Sequence, residues 1–149
     1  MTDPTRRMIL ALPLLALAAC APRRAGRPAP AGGAEVNRLI AGYARLYDLP
    51  EGLVHRVVSA ESGYDPAARN GPYWGLMQIR ADTARTMGYR GPPEGLLDAD
   101  TNLRYGVRYL RGAWLVARGD ADRAVMWYRR GYYYEARRMG LLEETGLRG

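Results

Sequence analysis

Residues 52–66 read GLVHRVVSAESGYDP. Glu61 follows Val54, Val57 and Val58 by seven, four and three positions, and residues three and four apart share a helix face. The face that buries the valines therefore also carries a carboxyl group. Ser62-Gly63 ends the helix, with Gly63 suited to a left-handed cap, and Tyr64-Asp65-Pro66 reads as a turn. A half-buried carboxyl group in a last turn, at the negative end of the helix dipole, is the setting a general acid needs. The plain alternative is a solvated terminal glutamate.

Outward from this stretch the pattern stays helical. Val36, Leu39, Ile40, Tyr43 and Leu46 mark one face of a preceding helix, and Pro50 opens the helix that ends at Glu61. After the turn, GPYWGLMQI has no clean period. ADTARTMGY reads as a short helix, and GYRGPPEGLLDAD as a loop. Asp98 or Asp100 can cap a long helix with Leu103, Val107, Leu110 and Trp114 on one face. Gly119 stops it, Asp120 can cap ADRAVMWYRRG, and Gly131 can close that helix. YYYEARRMGLL supplies a last helical piece. Strand signals are nearly absent, so the expected fold is all-α, about five to seven helices in one domain. There is no Phe, but there are 11 Tyr and 3 Trp, which either line a groove or replace Phe in the core.

The amino-terminal segment reads differently. Arg6 and Arg7 precede MILALPLLALAAC, an apolar run that ends in the single cysteine. A basic start and a short apolar core read as an export signal; the run is shorter than the roughly 20 residues needed to span a bilayer. Leu17-Ala18-Ala19-Cys20 resembles the lipobox of bacterial lipoprotein signals, which implies cleavage before Cys20 and lipid on it. The expected organisation is a signal peptide at 1–19, a lipidated Cys20 with a Pro/Gly/Arg tether at 20–34, and a folded domain at 35–149. A single Cys and a single His exclude an intrachain disulfide and a standard zinc site. No metal and no cofactor is expected. The net charge of +7 suits an anionic partner. Export argues against nucleic acid and for a wall polymer, and Arg23, Arg24 and Arg27 can meet anionic lipid headgroups.

Four blocks then line up in order: Glu61-Ser62-Gly63-Tyr64-Asp65-Pro66, Gly75-Leu76-Met77-Gln78-Ile79, Asn102 through Leu110, and Ala124 through Tyr128 to Gly131. The ordered set resembles the soluble lytic transglycosylase family, with its lysozyme-like fold, which cuts peptidoglycan. Residue by residue, the resemblance implies that Glu61 is the catalytic acid and that Ser62 supports it. It implies that Met77 and Gln78 lie at the substrate, that Asn102, placed with Tyr73 and Arg129 among the substrate-binding residues, opens a motif whose residues brace the cleft, and that the hydroxyl of Tyr128 approaches the Glu61 carboxyl group. It implies peptidoglycan strands as substrate and no cofactor. With the lipobox, it implies a lipid anchor on the periplasmic face of a bacterial membrane, and it leaves envelope or secretion machinery open as partners.

The chain departs from the family pattern at two places. Asn70-Gly71-Pro72-Tyr73-Trp74 stands where members often carry smaller residues, so Tyr73 is expected to shape a substrate subsite. Arg129 stands where members often carry Asn, which puts contacts to an acetamido group or a peptide stem in question. Asp65, Asp82, Asp98 and Asp100 read as turn or cap residues, and His55 as a packing or surface residue. Only Glu61 is a confident catalytic carboxyl group. Three readings stay open: a lytic transglycosylase whose substrate supplies the internal nucleophile, a hydrolysing muramidase with a second carboxylate, and a non-catalytic wall-binding or assembly protein of the same fold.

Overall fold

The computed structural model describes residues 33–147. Cys20, the leader and the tether up to residue 32 lie outside the described residues. The organising element is a long helix, α4 (Ala99–Val116), which touches most of its neighbours. Its buried side is a broad stripe of Leu103, Gly106, Val107, Leu110, Ala113 and Val116, with Asn102 as its one polar member. Against it lie α1 (Ala34–Leu46), α5 (Ala121–Arg130) and α6 (Tyr133–Met139). Helix α2 (Glu51–Ser62) packs on α1. Leu53, Val54, Val57 and Val58 of α2 are all buried, so its apolar face follows the sequence pattern.

The caps also follow local chemistry. Asp98 Oδ1 accepts from Thr101 N at 2.8 Å and Asp120 Oδ1 from Arg123 N at 2.8 Å, each satisfying an orphan donor of a first turn. Gly63 closes α2 in the left-handed region at φ 59°. Helix α1 is rotated from its expected phase. Val36, Ile40 and Ala44 are buried, whereas Leu46 is 68% exposed. The small Ala44 takes the place in the stripe, and Leu49, past the helix end, supplies the buried leucine instead.

The stretch without a period forms a small lobe. Two-residue strands β1 (Arg69–Asn70), β2 (Tyr73–Trp74) and β3 (Ile79–Arg80) make an antiparallel sheet in the order β1-β2-β3. Helix α3 (Ala81–Thr86) and a 3₁₀ turn at Pro93–Leu97 complete it. The proline-rich loop expected there thus contains this turn. Trp74, Ile79, Ala84, Tyr89 and Leu96 form the lobe's own apolar cluster, separate from the main core. The fold is nonetheless helical in character, six α-helices among the described residues.

Asn102 joins the two lobes. From α4 its Oδ1 accepts from Met77 N at 2.9 Å, and its Nδ2 donates to Trp74 O and Leu96 O, both at 2.8 Å. All three partners belong to the small lobe. The approach is so close that a Cβ at Gly75 would lie 2.4 Å from Asn102 Nδ2. Gly75 also sits at φ 66°, so glycine is required there on both counts. One turn along α4, a Cβ at Gly106 would lie 2.6 Å from Met77 Sδ; the missing side chain is what lets Met77 sink into the helix surface.

Candidate active site

A groove runs between the lobes. One hollow, of about 410 Å³, is lined by Ala60, Glu61, Asn70, Tyr73, Gln78, Tyr128 and Arg129. A second, of about 240 Å³, shares Tyr73, Gln78, Tyr128 and Arg129 with the first and continues past Arg80, Thr83, Arg130 and Gly131. Helices α2 and α5 form one wall, and the sheet lobe forms the other.

Among the described residues, Glu61 is the only acidic one lining either hollow. It is the penultimate residue of α2, and its side chain is 20% exposed. The valine face holds the helix down, so the carboxyl group sits at the rim of the core and opens to the groove. Its contact is with Arg129, whose Nε donates to Glu61 Oε1 at 2.8 Å. The sequence marked Arg129 as a departure but not as the partner of the acid. The signal in the sequence was slight: Arg129 directly follows Tyr128 near the end of α5.

Ser62 acts on the backbone. Its Oγ donates to Leu76 O at 2.7 Å, and to Val58 O at 3.2 Å within its own helix. The end of α2 is thereby tied to the Gly75–Gln78 turn. Gln78 stands in the groove and is held in an uncommon backbone conformation, φ 47°. Its Nε2 donates to Gly75 O at 2.8 Å and to Ala68 O at 3.1 Å, which fixes the side chain and leaves Oε1 as its acceptor for a ligand. Such strain costs on the order of 1–3 kcal/mol and persists where surrounding contacts over-determine it.

Three expected roles change. Met77 is fully buried, so its side chain does not meet a substrate; the turn buries it under Gly106 and presents Gln78 instead. Asn102 is likewise fully buried, its amide consumed by three backbone groups, and it braces the groove rather than contacting a ligand. Tyr128 lines the groove, but its hydroxyl donates to Met77 O at 2.7 Å and not to Glu61. The Glu61 charge is close enough to be felt there: burial first, then that charge, push the Tyr128 hydroxyl well above the ordinary tyrosine range. It therefore stays a proton donor. Its ring stands edge-on to Tyr109 at 5.5 Å, and Tyr109, itself pushed up to about 12 by burial, lies 4.7 Å from Tyr132. The tyrosines here serve core and groove wall together.

Tyr73 is 41% exposed and lines both hollows. Asn70 lines the one that holds Glu61. The other carboxylates have local roles. Asp65 Oδ1 accepts from Ala67 N at 2.9 Å, Asp82 pairs with Arg85, and Asp100 accepts from Tyr43 and Arg104. His55 packs beside Tyr64, with Nδ1 3.1 Å from its hydroxyl. Arg80, Thr83, Tyr109 and Arg130 are groove residues that sequence reasoning missed. Only the folded sheet brings Arg80 and Thr83 opposite α5.

No solved structure gives a significant match to the chain. The model of the transglycosylase SLT domain matches residues 38–139, a span from within α1 to the last residue of α6 that contains every groove residue described above. With more than half of its length matched, the chain belongs to the transglycosylase SLT domain family.

Proposed function

We propose that this protein is a peptidoglycan lytic transglycosylase that breaks the β-1,4 bond between N-acetylmuramic acid and N-acetylglucosamine and leaves 1,6-anhydromuramoyl ends. Family membership supports a transglycosylase acting on peptidoglycan in general. The observation that carries the finer reading is Glu61 standing, among the described residues, as the one carboxyl group in an open groove. Hydrolysis by paired carboxyl groups needs a second one, roughly 5–9.5 Å from the first, and among the described residues no other acid lines the groove. A lone acid suffices where the substrate brings its own nucleophile.

Glu61 first gives its proton to the glycosidic oxygen, and the N-acetylglucosamine side departs as an alcohol. The 2-acetamido oxygen of the muramoyl residue supports the anomeric carbon from the opposite face. The carboxylate left on Glu61 then takes the proton of the muramoyl 6-hydroxyl, and that oxygen closes on the anomeric carbon. No water is consumed, and Glu61 ends the cycle protonated. Ring closure within one sugar gains from proximity. Gln78 Oε1 is placed to accept a hydrogen bond from the sugar or its acetamido group. Tyr128 and Asn102 act at one remove, by fixing the turn that carries Gln78.

The lipid anchor on Cys20 and the periplasmic face of a bacterial membrane complete the proposal. They rest on the Leu17–Cys20 lipobox, and one acyl chain alone would bind only weakly, so stable retention implies more than one. Intact mass of the mature chain tests the anchor: lipid on an amino-terminal Cys20 is expected, and an unmodified chain starting elsewhere overturns it. Digestion of purified peptidoglycan in heavy-oxygen water tests the reaction. Products with anhydro ends and no label are expected. Stoichiometric label at the new ends would mean hydrolysis.

A further inference from the structure

The second hollow is chemically unlike the first. Three arginines line it, Arg80, Arg129 and Arg130, and no Asp or Glu does. They come from opposite walls, Arg80 from β3 in the small lobe and the other two from the end of α5. Their charges are incompletely matched by the protein. Arg130 reaches only the Met126 sulfur, at 4.0 Å. Arg80 is 3.7 Å from Asp82 Oδ2, beyond a good hydrogen bond. Arg129 binds Glu61 through Nε alone. A guanidinium carries five donors in a planar fork suited to carboxylates, and on these exposed side chains most of the donors stay open to solvent and free for a carboxylate entering the hollow. Thr83 and Gln78 add polar edges to the same wall.

We propose that this hollow is a carboxylate-binding subsite that reads the free acids of the peptide stems on the glycan, with Arg129 linking it to Glu61. The inference rests on the reading of the groove as a peptidoglycan site and names what one end of it selects. The two hollows share four lining residues, so a strand with its scissile bond at Glu61 carries the substituent of an adjoining muramoyl residue toward Arg80 and Arg130. There a stem carboxylate meets guanidinium groups from both lobes. Arg129 sits on the divide. Its Nε lies on Glu61 while its terminal nitrogens remain for the stem, so an anion arriving in the hollow competes for the group that holds one oxygen of the acid.

The test is a calorimetric titration of the mature chain with a soluble disaccharide–peptide whose stem carboxylates are free, against the same compound with those groups converted to carboxamides. The free acid is expected to bind roughly tenfold tighter, with a preference that shrinks as salt rises. Arg80→Gln and Arg130→Gln should each reduce that preference, by roughly two- to fivefold as suits a half-exposed ion pair, with the loss falling on the free acid more than on the carboxamide. Arg130→Lys should restore part of it. A third ligand, the disaccharide stripped of its peptide so that only the lactyl carboxylate is free, should bind like the carboxamide. If it matches the free-acid peptide, the lactyl group is what is read and the stem assignment falls. Equal affinity for acid and amide in the parent, or a preference that both glutamine variants retain, overturns the subsite. Binding is read without turnover, so absence of anhydro products from native sacculi would defeat the proposed reaction and leave the subsite standing on its own result.

Discussion

The two lobes that form the groove are held by different physics. In the large lobe, α1, α2, α4 and α5 bury aliphatic side chains on continuous stripes, and no single polar group decides the arrangement. The small lobe has a cluster of only five buried apolar residues and three strands of two residues each. Its seat on the rest of the fold is largely polar: the Asn102 amide makes three buried hydrogen bonds to its backbone, Arg108 donates to Met87 O, and Ser62 and Tyr128 donate to Leu76 O and Met77 O, while the Leu76 and Met77 side chains enter the main core. The wall that carries Glu61 is thus built by burial, and the wall that carries Gln78 and Tyr73 is held in large part by polar braces, of which Asn102 is fully buried. A groove needs both: a rigid seat for the acid, and a facing wall whose backbone turn fits closely enough to hold Gln78 at a positive φ.

Asn102→Ala tests the brace and should have the largest effect. It leaves one N–H and two C=O groups buried without partners, at about 1–3 kcal/mol each. Partial relaxation and entry of water should bring the total to roughly 3–6 kcal/mol. Denaturant unfolding should register this, and amide exchange should be fastest in residues 69–97. Uniform loss of protection across both lobes would mean that the lobes unfold as one unit and that the contrast between them does not hold.

On the opposite wall, Glu61→Gln keeps the shape and removes proton exchange. Release of anhydromuropeptides should fall by a factor on the order of a hundred or more. Stability should change by less than about 1 kcal/mol, because the Arg129 pair is half exposed. A variant that turned over at the parent rate would remove Glu61 from the chemistry.

What was legible in the sequence divides along the same line. The α2 face, the Gly63 cap and the Asp120 cap follow from local spacing and side-chain chemistry, and all occur; for α4 the spacing offers Asp98 or Asp100, and Asp98 is the cap. The small lobe escaped because two-residue strands carry no periodicity and the strand segment is ordered by Asn102 of α4, 25 residues from Met77 and 28 from Trp74 in the chain. The same distance explains the errors in the site. Met77 and Gln78 are adjacent in sequence, yet the turn buries one and exposes the other. Tyr128 was expected on Glu61, but a backbone carbonyl of the facing lobe intercepts its hydroxyl. The phase of α1 failed for a different reason: the eye follows Leu46, while packing uses Ala44.

Tyr128→Phe sharpens the comparison, since this residue belongs to the large lobe and bonds to the small one. The ring and its contact with Tyr109 remain, and Met77 O loses its partner. A cost of about 1–2 kcal/mol is expected, a fall in Tm of several degrees for a domain of this size. Turnover should drop less than about tenfold, through loosening of the Gln78 turn. A hundredfold loss of turnover with an unchanged Tm would place the hydroxyl on Glu61 during the reaction.

The smallest effect belongs to Asp98, where the small lobe runs into α4. Its carboxylate caps the helix, and the hydrogen bond from Thr101 N holds it below the ordinary value of 3.8. Asp98→Ala should cost about 1 kcal/mol at neutral pH, as cap removals do. The sign of the pH dependence follows from that lowering. A carboxyl group whose pKa is depressed on folding contributes fully above its unfolded value, and the contribution disappears as pH falls through the folded value. The gap between parent and variant should therefore be constant from neutral pH down to about 5, narrow from about pH 4 downward, and close once the cap is protonated. Urea unfolding of both proteins across that range gives the answer. A gap that stays open at pH 2 would mean that Asp98 acts by packing or as an uncharged cap. A gap that closes as described assigns the start of α4, and with it the seat of Asn102, to a charged cap.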